Sequence, residues 1–299
     1  MTDPVRVAFI GLGRMGVPMS LRLAAAGLDL VGYDLSAPAR TGAAEAGLRT
    51  AGTLAGAADG AAMVFLMLPS SEEVASVAAQ ASLRRQVRPG ALVVDMSSSQ
   101  PVRTREVAAS LAEDGLRMID APVSGGVSGA RKGVLTIMAG GAAADVAVAR
   151  PYLEHLGRVV HAGPIGCGHA VKALNNLLSA THLWATSEAM IAGERFGVDP
   201  KTMLSIFNTS SGRSGSTDNK WPNFILPGTF DSGFGLRLMV KDMRIAVELA
   251  SRLGAPSVLG GRALALWQEA ASDLPPDADH TEVARWLQKE ARQNGASEQ

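Results

Sequence analysis

The chain has 299 residues with 28 basic and 28 acidic side chains, so its formal net charge at pH 7 is zero. Nucleic-acid-binding proteins usually carry a basic excess, and this balance therefore argues against a nucleic-acid partner. Cys167 is the only cysteine, which excludes an intrachain disulfide and a metal site built from a cysteine cluster. The length exceeds what one hydrophobic core usually serves and predicts two domains.

The chain starts with MTDPVRVAFIGLG, which shows neither a basic leader segment nor a small-residue cleavage site. No apolar run reaches the length needed to cross a bilayer. A composition of 47% apolar and 19% charged residues is typical of well-packed globular proteins. We therefore expect a soluble, cytoplasmic protein without a membrane partner.

Short apolar runs alternate with Ala-rich amphipathic stretches between residues 5 and 162. Strands buried on both faces and joined by helical crossovers form doubly wound parallel sheets. The first domain, residues 1–163, is therefore predicted to have an α/β fold with a mostly parallel sheet. Its predicted strands are VRVAFI, LDLVGY, MVFLML, ALVVDM, RMIDAP, LTIMA and RVVHA.

The pattern becomes helical after residue 163. Helices are predicted over residues 171–196, 200–208, 239–253 and 256–272, and no strand is predicted among them. The second domain, residues 164–299, is therefore expected to be all-α and to serve the substrate and self-association.

A glycine-rich turn of the pattern GxGxxG lies between the first predicted strand and a predicted helix. In dinucleotide-binding folds the first glycine permits the tight turn, the second lets the pyrophosphate approach, and the third lets the helix pack closely. The N-terminus of the helix then attracts the phosphates. The turn residues predicted to bind NAD are Gly11, Leu12, Gly13, Arg14, Met15 and Gly16.

Asp34 ends the next predicted strand in the sequence VGYD. An acid at this place accepts hydrogen bonds from the ribose hydroxyls and repels the 2′-phosphate of NADP. The next arginine along the chain is Arg40. We therefore predict NAD as the cofactor, with NADP disfavoured; the alternative is that Asp34 only caps the following turn.

Two more predicted strands end in Leu68-Pro69 and Ser97-Ser98. Ligands of open α/β sheets sit outside the carboxyl ends of the strands. The serines either donate to the cofactor or cap the helix that follows. Ser124-Gly125-Gly126 follows another strand, and successive N–H groups in such a turn either cradle a carboxylate or form a plain flexible turn.

Lys172 stands among small apolar residues in the segment GHAVKALNN. Asn175 and Asn176 follow three and four residues later, so all three side chains can share one face of a helix. Oxidation of an alcohol by hydride transfer needs a base for the hydroxyl proton, and a desolvated lysine can serve as that base. The alternative is a lysine that reaches solvent from an Ala-rich helix.

Four segments resemble, in the correct order, the successive signatures of the β-hydroxyacid dehydrogenase family. They are GLGRMGVPM, DAPVSGGVSGARKGVLTIMAGG, GPIGCGHAVKALNN and LMVKDMRIAVELA. The resemblance implies a Rossmann-type domain, a helical C-terminal domain, and reversible NAD(P)-dependent oxidation of a 3-hydroxyacid in a homodimer or homotetramer. Val134 departs from the threonine that is frequent in the family, which we interpret as a packing change.

The resemblance also implies a role for individual residues. Lys172 is the general acid/base, Asn176 orients the substrate, and the turn Ser124, Gly125 and Gly126 holds the substrate carboxylate. Residues that match positions in contact with the dinucleotide are Leu68, Pro69 and Ser98, and Lys241 reaches the cofactor or the substrate. His169 is expected to have a structural role. No cluster of metal ligands is visible, so a reaction without a metal is predicted.

We therefore predict NAD-dependent oxidation of a small 3-hydroxyacid, similar to 3-hydroxyisobutyrate, to its semialdehyde or keto acid. A reductase of the same family acting on tartronate semialdehyde, sulfolactaldehyde or a similar semialdehyde is an alternative. A different class of function is a dinucleotide-binding module without catalysis. An imine reductase on a similar scaffold would usually lack the lysine.

Overall fold

The computed structural model describes the backbone of residues 5–297 and the side chains of residues 5–291. The strands are β1 (Arg6–Ile10), β2 (Asp29–Tyr33), β3 (Met63–Leu66), β4 (Leu92–Asp95), β5 (Arg117–Asp120), β6 (Val123–Ser124), β7 (Leu135–Gly140) and β8 (Gly157–Gly163). The helices of the first half are α1 (Gly16–Ala25), α2 (Ala37–Glu45), α3 (Leu54–Ala58), α4 (Ser71–Ala79), α5 (Ala81–Arg84), α6 (Pro101–Glu113), α7 (Gly126–Lys132) and α8 (Ala143–Leu153). The later helices are α9 (Cys167–Phe196), α10 (Pro200–Thr209), a π-helix (Ser216–Ile225), α11 (Leu236–Arg252), α12 (Val258–Asp273) and α13 (Glu282–Ser297).

The eight strands form one sheet in the order β2-β1-β3-β4-β5-β7-β6, with β8 also paired to β7. The pairs from β2 to β5 are parallel, as is β7 with β8. β7 runs antiparallel to both β5 and β6. The prediction of a mostly parallel α/β sheet is confirmed, and the antiparallel ribbon β6–β7 was not predicted because β6 has only two residues and shows no periodicity.

Both faces of the sheet are covered, and the strand periodicity explains how. Side chains of a strand alternate between the two faces. Accordingly Val7 and Phe9 belong to one apolar cluster, whereas Ala8 and Ile10 belong to a second cluster. Phe9 stacks on Phe65 with ring centroids 6.0 Å apart. Continuous apolar runs such as VAFI are therefore required here, since neither face of the strand meets solvent.

The second half of the chain packs around tryptophans. Trp221 and Trp267 are fully buried, and Trp184 lies 6.3 Å from Trp267 between ring centroids. Among the residues that the structure describes in this half, the only β pairing is the isolated bridge between Gly235 and Asp279. An all-α second domain is thereby confirmed. The π-helix was not predicted, because the first half of its sequence STDNKWPNFI is polar and Pro222 lies inside it.

Asp279 joins two irregular segments of the second half. Its carboxylate accepts hydrogen bonds from the backbone N–H groups of Gly233, Phe234 and Thr281 at 2.8, 3.1 and 2.9 Å. The Ser232 hydroxyl donates to the same carboxylate at 2.8 Å. Burial raises the pKa of Asp279, but hydrogen bonds from His280 and Thr281 outweigh burial and hold the pKa below its usual range.

The chain divides into two compact units, Met1–Lys172 and Ala173–Gln299. This division differs from the expected boundary after residue 163, because the first turn of α9 is hydrogen-bonded to the strand ends of the first unit. Across the part of the chain that the structure describes, no helix has the length and apolar character to cross a membrane. The same residues contain no group of His, Cys, Asp and Glu side chains placed to hold a metal ion.

Candidate active site

The glycine turn after β1 has the geometry that its spacing predicts. Gly11 has φ +99, and a side chain there would clash with the Met67 carbonyl oxygen. A side chain at Gly16 would clash with the Gly11 carbonyl oxygen, whereas one at Gly13 would meet nothing within 4 Å. Among the described residues no side chain caps the start of α1. The turn therefore leaves open space at Gly13 beside uncapped N–H groups, which suits the pyrophosphate of a dinucleotide.

Asp34 lies beside this turn at the end of β2. Its two carboxylate oxygens accept from the N–H groups of Leu12 and Ser36, both at 2.8 Å. Asp34 thus does cap the following turn, but an ionised carboxylate has about four acceptor sites and can also accept from ribose. Arg40 donates to the carbonyl oxygens of Asp34 and Leu35 at 2.7 and 3.1 Å. The guanidinium is therefore held at the end of β2, next to the expected ribose site.

The ends of β3 and β4 are tied together by a side chain. The Leu68 N–H donates to the Ser97 hydroxyl oxygen at 2.9 Å, and Ser97 is fully buried. Ser98 is half-buried and Pro69 is exposed. Of the two serines, Ser97 therefore serves the protein's own backbone, and Ser98 is the one that solvent or a ligand can reach.

The turn predicted to hold a carboxylate joins β6 to α7. Gly125 and Gly126 have φ +128 and +61, and a side chain at Gly126 would meet nothing within 4 Å. Ser124 is half-buried and Gly125 exposed, so the turn is reachable. Val134, two residues beyond α7, is 66% exposed. Our interpretation of Val134 as a packing change is therefore wrong, since this side chain packs against little.

The start of α9 is fixed on the end of β5. Asp120 is fully buried, and its carboxylate oxygens accept from the N–H groups of Gly166 and His169 at 2.7 and 2.8 Å. A side chain at Gly168 would clash with the Met138 carbonyl oxygen, which shows how closely the helix approaches the sheet. An acidic group that accepts from the first N–H groups of a helix stabilises that end. The sequence reasoning missed Asp120, whose only signal was its position at a strand end.

Lys172 lies in the second turn of α9 and is 6% exposed. This burial excludes the alternative of a lysine that extends along a solvated face. Asn176, one turn later, is 5% exposed, whereas Asn175 is exposed. Asn175 therefore lies at the exposed edge of the face that Lys172 and Asn176 share, and its amide nitrogen donates to Asn176 Oδ1 at 3.2 Å.

Asn176 is oriented by Asp242 of α11, which the sequence reasoning also missed. The Asn176 amide nitrogen donates to Asp242 Oδ2 at 2.6 Å. A carboxylate can only accept, so the amide nitrogen must face Asp242 and the amide oxygen must face away. Lys241 Nζ lies 3.7 Å from the Asp242 carboxylate. A signal for Asp242 existed in the Lys-Asp pair itself, since an acid next to a functional lysine can orient polar neighbours.

Family models match both halves of the chain. The NAD binding domain of 6-phosphogluconate dehydrogenase matches residues 6–166. The NAD-binding domain of NADP-dependent 3-hydroxyisobutyrate dehydrogenase matches residues 166–287. The two matches meet in the loop that leads into α9. NAD is accordingly the cofactor that the first unit is built to bind.

Curated relatives and solved structures cover nearly the whole chain. The mitochondrial 3-hydroxyisobutyrate dehydrogenase of Mus musculus is 36% identical, over 97% of this chain and 89% of its own length. The NAD-dependent L-serine dehydrogenase of Pseudomonas aeruginosa is 39% identical, over 88% of this chain and 91% of its own length. The structure of Mycobacterium tuberculosis 3-hydroxyisobutyrate dehydrogenase with L-serine superposes with a TM-score of 0.89 at 32% identity, covering 95% of this chain and 99% of that one. The chain therefore belongs to the β-hydroxyacid dehydrogenase family and is an NAD(P)-dependent hydroxyacid dehydrogenase of the 3-hydroxyisobutyrate type.

Proposed function

We propose that this enzyme oxidises a small 3-hydroxyacid with NAD, taking the hydroxyl proton on Lys172. The observation that carries the proposal is the burial of Lys172, at 6% exposure, on the helix whose start Asp120 fixes to the strand ends. General acid/base catalysis requires a positioned group within hydrogen-bond reach of the transferred proton. A side chain held in this way meets that requirement better than a mobile surface lysine.

Each step requires a particular group of the chain. When bound, the nicotinamide supplies the acceptor of the hydride from the alcohol carbon. The N–H groups of Ser124, Gly125 and Gly126 hold the substrate carboxylate, which sets the distance from the carboxylate to the reacting carbon. Lys172 Nζ accepts the hydroxyl proton during oxidation and returns it during reduction. Asn176 directs its amide nitrogen to Asp242 and presents its amide oxygen, which also accepts from Asn175 Nδ2 at 3.2 Å, to the substrate.

The cofactor preference rests on the first unit. The pyrophosphate is held by the glycine turn, which consists of Gly11, Leu12, Gly13, Arg14, Met15 and Gly16. Asp34 holds the ribose. Further contacts to the dinucleotide come from Leu68, Pro69 and Ser98, and Lys241 reaches the cofactor or the substrate. We propose NAD over NADP because the Asp34 carboxylate would repel a 2′-phosphate. A cytoplasmic location and assembly into a homodimer or homotetramer are proposed with this function. Exposed leucines on α9 support self-association, since Leu174 and Leu178 are 41% and 59% exposed.

L-serine is a second candidate substrate. One relative is an L-serine dehydrogenase, and the similar Mycobacterium tuberculosis structure is that of the enzyme together with L-serine. Serine is itself a 3-hydroxyacid, and it carries an α-ammonium group where 3-hydroxyisobutyrate carries a methyl group. Reduction of a semialdehyde in the physiological direction is the remaining alternative, and it uses the same residues in reverse.

A substrate panel tests the proposal. Purified enzyme would be assayed for NAD reduction with 3-hydroxyisobutyrate, L-serine, 3-hydroxypropionate, glycerate and threonate, and for NADH oxidation with tartronate semialdehyde and sulfolactaldehyde. We expect the highest kcat/KM among the 3-hydroxycarboxylates with NAD. The amide of the best substrate, which lacks the carboxylate, serves as the matched control and should react poorly. Equal activity with acid and amide would contradict the assigned role of Ser124, Gly125 and Gly126.

A further inference from the structure

His169 is a buried histidine that the proposed reaction does not use. It lies in the first turn of α9, three residues before Lys172, and is 1% exposed. Its two ring nitrogens are both engaged. Nε2 lies 3.0 Å from the Ser97 carbonyl oxygen, and Nδ1 lies 2.8 Å from the Thr104 hydroxyl. Since a carbonyl oxygen can only accept, Nε2 must carry the donated hydrogen.

Two buried carboxylates flank this ring. Asp95 and Asp120 are paired in register at the ends of the neighbouring strands β4 and β5, and both are fully buried. The ring nitrogens Nε2 and Nδ1 each lie 3.7 Å from one of these carboxylates. Asp95 also accepts from the Ser97 N–H at 2.9 Å. The imidazole thus fills the space between two acids whose remaining oxygens are held by backbone N–H groups.

The hydrogen bonds of His169 connect two segments with different expected tasks. The Ser97 carbonyl belongs to the segment after β4, and the Ser97 hydroxyl accepts from the Leu68 N–H after β3. Leu68 and Ser98 are the residues expected to contact the dinucleotide from these two strand ends. The backbone N–H of His169 donates to Asp120 at the start of α9. One residue therefore joins the dinucleotide side of the sheet to the helix that carries Lys172.

We propose that His169 is a positioning residue that aligns Lys172 with the nicotinamide. This inference rests on the proposed function, because it requires a proton transfer at Lys172 coupled to a hydride transfer. Misplacement of a catalytic group by about 1 Å can lower the rate about 100-fold. A ring that fixes the first turn of α9 to the segment after β4 limits such displacement of Lys172 in the next turn. We therefore expect His169 to affect the rate of the chemical step and not the affinity for NAD.

The test compares His169→Leu and His169→Gln with the wild type and with matched variants of His182. His182 is an exposed histidine on the same helix, so His182→Leu and His182→Gln control for the substitution itself. A glutamine at position 169 can still donate to the Ser97 carbonyl and keep a polar contact with the Thr104 hydroxyl, whereas leucine can do neither. Measurements are kcat and KM with the best substrate of the panel, the affinity for NAD by titration calorimetry, and the deuterium isotope effect with substrate labelled at the hydroxyl carbon.

We expect His169→Leu to lower kcat by about 10- to 100-fold with little change in NAD affinity. The isotope effect on kcat should rise, because hydride transfer becomes rate-limiting. His169→Gln should recover much of the loss, and the His182 variants should match the wild type. Thr104→Val removes the partner of Nδ1, together with the hydrogen bond from the Thr104 hydroxyl to the Gln100 carbonyl oxygen. It should lower kcat several-fold, which provides a test even if His169→Leu does not fold.

Three results would overturn the inference. They are a folded His169→Leu enzyme with wild-type kcat, a fall in NAD affinity as large as the fall in kcat, or no recovery in His169→Gln. If His169→Leu does not fold, a wild-type kcat in both His169→Gln and Thr104→Val would also overturn the inference. Wild-type enzyme that binds NAD but oxidises no member of the panel would contradict the proposed function itself. This failure is distinguishable from a failure of the His169 inference, because it is seen in the wild type, whereas the inference is tested by comparing variants with an active wild type.

Discussion

Lys172 and Asn176 stand one turn apart on α9, and each is buried. Burial of a lysine is unfavourable unless its charge is compensated or lost, so a lysine at such a place serves a purpose beyond solubility. Asn175 between them is exposed, and its amide nitrogen donates to Asn176 Oδ1 at 3.2 Å. The two neighbouring amides thus differ in burial, and the proposed contact with the substrate is assigned to the buried one, Asn176.

Replacement of Lys172 by alanine should remove the general acid/base. We expect kcat to fall by about 100-fold or more, while NAD still binds because the glycine turn and Asp34 are unchanged. Steady-state kinetics and a binding titration would measure the two quantities. Lys201→Ala, at an exposed lysine of α10, is the matched control. Turnover that survives in Lys172→Ala would contradict the assigned mechanism.

Replacement of Asp34 by arginine should change the cofactor preference. Loss of the carboxylate removes both a ribose acceptor and the repulsion of a 2′-phosphate, and arginine adds a phosphate partner. The ratio of kcat/KM for NADP to that for NAD should rise by about 10-fold or more, since like-charge contacts cost several kcal/mol. Asp34→Asn keeps the side-chain shape and should give a smaller rise. An unchanged ratio in both variants would refute the role of Asp34.

At the scale of elements, apolar runs and glycine turns predicted the sheet and the dinucleotide turn, because both depend on local pattern. Strands such as VAFI are buried on two faces, and only apolar residues suit that position. The hydrogen bond that Asp120 accepts from the His169 N–H and the one that Asn176 donates to Asp242 join residues 49 and 66 positions apart. Such pairs could not be predicted from a single chain, because no local spacing encodes which distant segment a buried carboxylate will meet.

Asp279 gives the second half an acid-sensitive contact. Since its pKa is lowered in the folded state, ionised Asp279 stabilises the fold above the unfolded-state pKa of about 3.9. That contribution is lost as the pH falls through the lower, folded-state pKa. Asp279→Asn should reduce the free energy of unfolding at pH 7 by about 2 kcal/mol, the scale of hydrogen bonds to a charged group.

Urea denaturation at pH 7, 5, 4 and 3 would measure this dependence. The difference between wild type and Asp279→Asn should be constant from pH 7 to 5 and should shrink toward pH 3. Asp277→Asn, an exposed neighbour, is the control and should show little effect at any pH. A difference that stays constant down to pH 3 would mean that the charge of Asp279 does not stabilise the fold.

At the scale of the whole molecule, the proposed self-association depends on α9. Leu174 and Leu178 lie four residues apart, so they form part of one exposed apolar stripe. A stripe of this kind on an otherwise well-packed protein is typical of a surface that a partner covers, and we propose that the partner is a second copy of the chain.

Leu178→Glu would place a charge in that stripe. We expect the variant to have a lower molecular mass than the wild type by light scattering coupled to gel filtration, because burial of an unpaired carboxylate opposes association. Val148→Glu, at a partly exposed apolar side chain of α8, should leave the mass unchanged. A wild-type protein that is monomeric at micromolar concentration would already contradict the proposal.

The fixed start of α9 decides how this chain can be divided into expression fragments. A fragment that ends at residue 163 contains all eight strands but lacks the N–H groups of Gly166 and His169, which satisfy the Asp120 carboxylate. In that fragment the Asp120 carboxylate loses both backbone donors, and the sheet loses the helix start that packs closely on it, a condition that lowers solubility. A fragment that continues through Lys172 retains those donors. The boundary between the two compact units therefore falls within α9. Fragment ends chosen from secondary structure alone would not be placed there.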